Sequence, residues 1–122
     1  MNFNKTILVG KLVRDNELKM VGETAIINNA IASNRAYSKD GEKVEEVTFV
    51  DFSIYGRLAE ILNEYTGKGD EVLLEGRLVN DRWESNGEKR SKLTLKVDGM
   101  QLGHSRKQNA EQSEEQKASE PF

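Results

Sequence analysis

The chain has no cysteine, and only one histidine, one tryptophan and one proline among its 122 residues. Without cysteine there is no disulfide, no thiolate nucleophile and no thiolate metal site. The single histidine, His104, falls at the edge of the apolar part of the chain, so neither a transition-metal site nor a Ser-His-Asp triad is expected. No apolar run exceeds three residues, Ile7-Leu8-Val9 and Val72-Leu73-Leu74 being examples, so no membrane-spanning helix is expected. Gly10 and Lys11 follow Lys5 too soon to leave room for a secretory signal, and a cytoplasmic location follows as the expectation. There is no glycine loop ending in Lys-Ser or Lys-Thr to cradle a phosphate. Asp40-Gly41-Glu42 lacks the ligand spacing of a calcium loop and reads as a hairpin turn, and Glu45-Glu46 reads as solvated strand rather than a catalytic pair. The expectation is a non-enzyme without cofactor or metal.

What is present is enough for one compact domain: 36% apolar and 32% charged residues. The formal net charge of −3 argues against a crude electrostatic nucleic-acid binder. Any phosphate contact must come from the local arrangement of Lys and Arg.

The hydrophobic period is two along most of the chain. Asn4 to Val13 reads as a first strand with Gly10 as a bend or bulge, resumed at Leu18 to Val21 after the Asp15-Asn16 turn signal. Ala25 to Ala36 is a second strand whose alternation is blurred. Ser38 to Lys43 is a polar hairpin loop around Asp40-Gly41, and Glu45 to Tyr55 is a third strand. Leu58, Ile61, Leu62 and Tyr65 then fall at helical spacing, with Gly67 or Gly69 as the stop. Glu71 to Trp83 is a fourth strand, Asn86-Gly87 a hairpin, and Leu93, Leu95 and Val97 mark a fifth. The result is an all-β fold: five strands, one short helix between the third and fourth, and a small closed or nearly closed barrel. Residues 1–103 form this domain. Residues 104–122 contain no apolar side chain larger than alanine before Phe122, and are expected to form a disordered tail.

Three aromatic residues sit where a water-facing side chain is due. In the third strand Val50, Phe52 and Ile54 share the core face, while Phe49 and Tyr55 share the other with Asp51 and Ser53. In the fourth, Val72, Leu74, Gly76 and Leu78 share the core face, and Trp83 lies on the polar one with Glu75, Arg77, Val79 and Asp81. Flat rings on a wet sheet are platforms for nucleobases, each of which has a π-face to stack. Packing under a loop or against another subunit would also account for such rings.

Asn4-Lys5-Thr6-Ile7-Leu8-Val9-Gly10-Lys11-Leu12 followed by Arg14-Asp15 resembles the opening of bacterial single-stranded DNA-binding proteins. The resemblance continues in order through Tyr55-Gly56-Arg57-Leu58-Ala59-Glu60, Glu64-Tyr65, Lys68-Gly69, Val72-Leu73-Leu74-Glu75-Gly76-Arg77-Leu78 and Trp83, and resumes at Glu120-Pro121-Phe122. It implies an OB-fold Greek-key barrel, usually a homotetramer. It implies binding of single-stranded DNA without marked sequence preference during replication, recombination and repair, at the nucleoid. Tyr37, Phe49, Tyr55 and Trp83 match the family's base-stacking positions. Lys5, Arg57, Lys68 and Arg82 match positions where it often places phosphate-contacting cations, with Lys39 and Lys43 as further candidates from the hairpin. Glu120, Pro121 and Phe122 match a tip that recruits replication and repair proteins. The chain departs from the pattern at Asp51, Val79 and Asp81, where many relatives are polar or basic, and in lacking the usual run of aspartates before the tip. The competing function is a protein-interaction adaptor on the same fold, like the primosome accessory protein, with the rings lining an interface.

Overall fold

A computed structural model describes residues 1–103. The expectations for residues 104–122, including Glu120, Pro121 and Phe122, lie outside the described residues. Six strand segments form one sheet: β1 (Thr6–Leu12), β2 (Leu18–Val21), β3 (Thr24–Lys39), β4 (Glu42–Tyr55), β5 (Glu71–Ser85) and β6 (Glu88–Leu102), with α1 (Arg57–Tyr65) between β4 and β5. The hydrogen-bonded order is β1-β5-β6-β4-β3-β2, and β1 also pairs with β3, which closes the ring. β1 and β2 both lie antiparallel along β3, so they are one interrupted strand, and the barrel is five-stranded as expected. β4 and β6 are its single parallel pair, at Phe52↔Leu95 and Ser53↔Lys96.

Period two explains the core. Phe52, Ile54, Val72, Leu74, Leu95 and Val97 point inward with Leu12, Ile27 and Ile31. The helix closes one end of the barrel, burying Ala59 and Leu62 and resting Leu58 on the core. The helical spacing picks out Leu58, Ile61, Leu62 and Tyr65, of which Leu62 is fully buried, and passes over Ala59. A small side chain is what lets the helix backbone lie close to the barrel.

Two boundary expectations need correction. The second and third strands run on to Lys39 and from Glu42, leaving a two-residue turn, Asp40-Gly41, in which both residues have positive φ. That is the turn whose twist suits a hairpin, and Asn86-Gly87 repeats it between β5 and β6. The strands project as two long arms beyond the barrel. Leu93, which marks the fifth strand together with Leu95 and Val97, is exposed on the β5–β6 arm, where there is no core left to meet.

Gly10 is not a bulge. β1 pairs with β5 without a register break from Thr6 to Lys11. A Cβ at Gly10 would lie 2.7 Å from the Ala32 carbonyl oxygen, because β3 crosses close there to shut the barrel. The one register shift between β5 and β6 falls at Glu75/Gly76, opposite Gly99 and Val97.

The gap between β1 and β2 is held by amide side chains. Asn16 Nδ2 donates to Thr66 Oγ1 (2.9 Å), Leu62 O (3.2 Å) and Thr66 O (3.3 Å) at the C-terminal end of α1. Asn29 Nδ2 donates to Asn16 Oδ1 (3.0 Å) and Arg14 O (2.9 Å). Asn16→Ala removes this pin and strands partly buried polar groups, so urea unfolding should show a loss of about 2 kcal/mol. An unchanged midpoint would mean that water replaces the amide without cost.

Candidate functional site

The outer side of β4 carries Phe49, Asp51, Ser53 and Tyr55, as the alternation requires. Beside it β6 presents Lys92, Thr94 and Lys96, and beyond that β5 presents Arg77, Val79, Asp81 and Trp83. The register fixes the arrangement, with Ser53 opposite Lys96 on one side, and Arg77↔Lys96, Val79↔Thr94 and Asp81↔Lys92 on the other. The β5–β6 hairpin and the sequence-distant β4 thus make one continuous face with rings at its margins. Phe49 is 69% exposed, Trp83 43%, Tyr55 40% and Tyr37 37%. None of the four is sealed in the core.

Tyr37 stands apart. Ala32 pairs with Phe49, whereas Tyr37 pairs with Val44. The ladder is unbroken, so Tyr37 projects from the opposite side of the β3–β4 arm. The structure brings together Phe49, Tyr55 and Trp83, and leaves Tyr37 around the edge of the ribbon.

Cations sit beside three of the rings. Lys92 Nζ lies 5.9 Å from the Trp83 ring centre, Lys96 Nζ 5.9 Å from that of Tyr55, and the Arg35 guanidinium 5.3 Å from that of Tyr37. Lys96 also donates to the Tyr55 hydroxyl at 3.3 Å. Sequence reasoning missed Lys92, Lys96 and Arg35. The signal available was the alternation of Lys92, Thr94 and Lys96 opposite Leu93, Leu95 and Val97.

The cations expected at phosphates are dispersed. Lys5 pairs with Glu75 at 3.1 Å, Arg57 with Glu60 at 3.5 Å, and Lys43 with Glu45 at 3.5 Å, with side chains between 37% and 77% exposed. Such exposed pairs are weak and open to exchange. Lys39, Lys68 and Arg82 form no ion pair among the described residues. The backbone N–H of Lys68 donates to Asp15 Oδ1 at 2.8 Å, which fixes the loop before β5. Arg82 alternates with Trp83 and so lies on the other side of its arm, although both residues border one open groove at the arm with Lys89 and Arg90.

The two acidic departures lie at the centre of the face. Asp51 pairs with Lys92 at 3.6 Å and Asp81 with Lys96 at 3.5 Å. The pull of the Thr94 hydroxyl, opposed by partial burial and assisted by the charges of Lys96 and Lys92, keeps the Asp81 carboxyl below its ordinary value. Among the described residues the buried Thr94 Oγ1 meets no partner within strict hydrogen-bond geometry, so its pull on Asp81 is that of a close dipole. Among the described residues no group of three or more acidic or histidine side chains could hold a metal ion.

Residues 3–103 match the Single-strand binding protein family. The chain belongs to that family. A single-stranded DNA-binding protein from Wolinella succinogenes is 45% identical over 103 residues, covering 82% of this chain and 64% of the relative. One from Aquifex aeolicus is 33% identical over 121 residues, covering 98% of this chain and 82% of the relative. The chain spans about three-fifths of the length of the first curated relatives it matches, 64%, 61% and 58% in turn. Among solved structures, a Plasmodium falciparum SSB in complex with ssDNA superposes with a TM-score of 0.76 at 17% identity, over 85% of this chain and 97% of that one. A deletion mutant of the single-stranded DNA binding protein from Thermus aquaticus gives 0.71 at 25% identity, over 85% and 52%. The family's members share the OB barrel, and no helix among the described residues is long and apolar enough to cross a membrane.

Proposed function

We propose that this chain binds single-stranded DNA without marked sequence preference by stacking bases on Phe49, Tyr55 and Trp83, with Tyr37 taking the strand onward around the β3–β4 arm. The observation that carries the reading is one open face with three large rings at its margins and two ammonium groups 5.9 Å from two of those rings. A ring flanked by a cation suits a nucleotide, whose base stacks while its phosphate is neutralised nearby. Arg35, Lys92 and Lys96 are proposed as phosphate contacts together with Lys5, Lys39, Lys43, Arg57, Lys68 and Arg82. The role is protection of exposed strands in replication, recombination and repair. Sequence resemblance extends it to recruitment of genome-maintenance proteins through Glu120, Pro121 and Phe122.

Trp83 is the only tryptophan, so its emission reports one contact. Poly-deoxythymidine should quench it saturably. Affinity should fall with salt, with a slope near −0.7 for each phosphate neutralised. Full emission at saturating oligonucleotide would favour the adaptor, with the rings held against protein instead.

Self-association, with a homotetramer as the expected form, is proposed as well. Ile7 and Val9 project outward from β1, and both are exposed. Apolar side chains in a row on an outer strand are the kind a second copy covers. Sedimentation should give four times the chain mass. A monomer at micromolar concentration would overturn this.

A further inference from the structure

The two lysines of the ring face are not free. On β6, the middle strand of that face, each lysine joins an acid on one flanking strand to a ring on the other. Lys92 pairs with Asp51 of β4 at 3.6 Å and lies 5.9 Å from the centre of the Trp83 ring of β5. Lys96 pairs with Asp81 of β5 at 3.5 Å and lies 5.9 Å from the centre of the Tyr55 ring of β4. The two straps cross the face in opposite directions. Arg14 and Lys92 line one small recess together with Asp51 and Asp81, so the charges there cancel, two against two. The centre of the face is neither an acidic nor a basic patch. Its lysines already have counterions, and the protein supplies them.

A phosphate that reaches Lys92 or Lys96 must take it from a carboxylate. One oxyanion then replaces another, and the attraction gained in the new pair is offset by the attraction lost in the old one. The carboxylate uncovered in this way stays on the face and draws a cation from solution. Binding also releases cations from the strand, about 0.7 for each phosphate neutralised. The uptake cancels part of the release, so salt acts less on binding than the number of cations on the face implies. Asp81 is well placed to compete. The Thr94 hydroxyl, opposed by partial burial and assisted by the charges of Lys96 and Lys92, keeps its carboxyl below the ordinary value, so it is fully ionised at neutral pH.

We propose that Asp51 and Asp81 are built-in competitors of the DNA phosphates for Lys92 and Lys96, so that the ring face takes nucleic acid by its bases and gains little from its charge. The inference rests on the single-strand reading above and assigns to two acids the balance between stacking and charge. A polyanion without bases exchanges one pair for another here and gains almost nothing. A strand with bases gains its stacks. The acids therefore set what kind of polymer the face holds, although neither of them contacts it favourably.

The test is anisotropy titration of the full chain with an oligothymidylate between about 20 mM and about 0.5 M salt. At the low end Asp51→Asn should bind about threefold tighter than the unsubstituted chain, the order of one partly exposed ion pair. Asp81→Asn should gain more, because the Lys96 side chain is 20% exposed against 50% for Lys92. The double variant should gain about tenfold if the two pairs act independently. At the high end all four proteins should converge. The slope of log affinity against log salt should be steeper in the double variant by up to about 1.4, two phosphates at about 0.7 each. Glu64→Gln removes the same charge from an exposed residue of α1 that forms no ion pair among the described residues. Screening should hold its effect below about twofold. Asp51→Asn, in a pair with both side chains near half exposed, carries the test if Asp81→Asn lowers the melting temperature. Salt lines that run parallel in all proteins overturn the inference and leave the single-strand reading intact. So does weaker binding in the double variant, which would make the acids supports that aim the lysines at phosphate. Failure of the unsubstituted chain to bind removes both.

Discussion

Replacing Trp83 and Tyr55 together by alanine should weaken binding of poly-deoxythymidine by at least about thirtyfold, with thermal unfolding hardly changed. The lower bound takes about 1 kcal/mol for each lost stack, the small end of a general range of about 1–3 kcal/mol that already includes members of this family. The barrel should survive because neither ring belongs to the buried cluster, and both are at least 40% exposed. Their ties to the fold are superficial: one hydrogen bond from Lys96 to the Tyr55 hydroxyl, and cations lying alongside. Oligonucleotide titration by anisotropy, with circular dichroism on the same samples, separates the two quantities. Equal affinity in the double variant would remove stacking from the mechanism. A coincident collapse in melting temperature would show that the rings support the sheet.

The second large effect concerns folding. Gly76→Ala would place a methyl carbon 2.0 Å from the Lys96 carbonyl oxygen and 3.0 Å from the Val97 Cα. Both are backbone atoms of β6, at the point where its register against β5 shifts, so no side chain can swing aside. Overpacking of this kind costs about 3 kcal/mol when backbone must move, which for a domain of this size is a fall of roughly 15 °C in melting temperature. Gly99→Ala is the internal control. Its new carbon would meet Glu75 side-chain atoms first, the nearest at 3.0 Å, and that chain can rotate away. Equal melting temperatures for the two variants would mean that β6 yields freely and that the shift is not a fixed part of the fold.

Much of this architecture is legible in local sequence. The alternation at Val50-Phe52-Ile54 and Val72-Leu74 assigns the core correctly, and the same alternation sends Phe49, Tyr55 and Trp83 outward. Asp40-Gly41 and Asn86-Gly87 locate both hairpins. The second strand was blurred for a physical reason: Asn29 occupies an inward position between Ile27 and Ile31, where it anchors the β1–β2 gap instead of contributing apolar surface. Gly10 was misread because its constraint comes from β3, twenty-two residues later at Ala32, and nothing adjacent in the chain announces that crossing. Lys92 and Lys96 were missed for the same kind of reason. A lysine on a strand reads as ordinary surface charge until strand pairing sets it beside an aromatic ring, β6 against β5 for Lys92 and Trp83, and β6 against β4 for Lys96 and Tyr55.

The placement of Tyr37 has a mechanical consequence. It pairs at Val44 while Phe49 pairs at Ala32, an odd number of residues along the same ladder, so the two side chains emerge from opposite sides of one ribbon. A polymer that engages both must curl sharply over the ribbon's rim within a few nucleotides. Duplex DNA is stiff over lengths of about 150 base pairs, and it cannot follow such a path without heavy bending work. On the proposed path, a double helix would be refused for its rigidity, before any base is inspected.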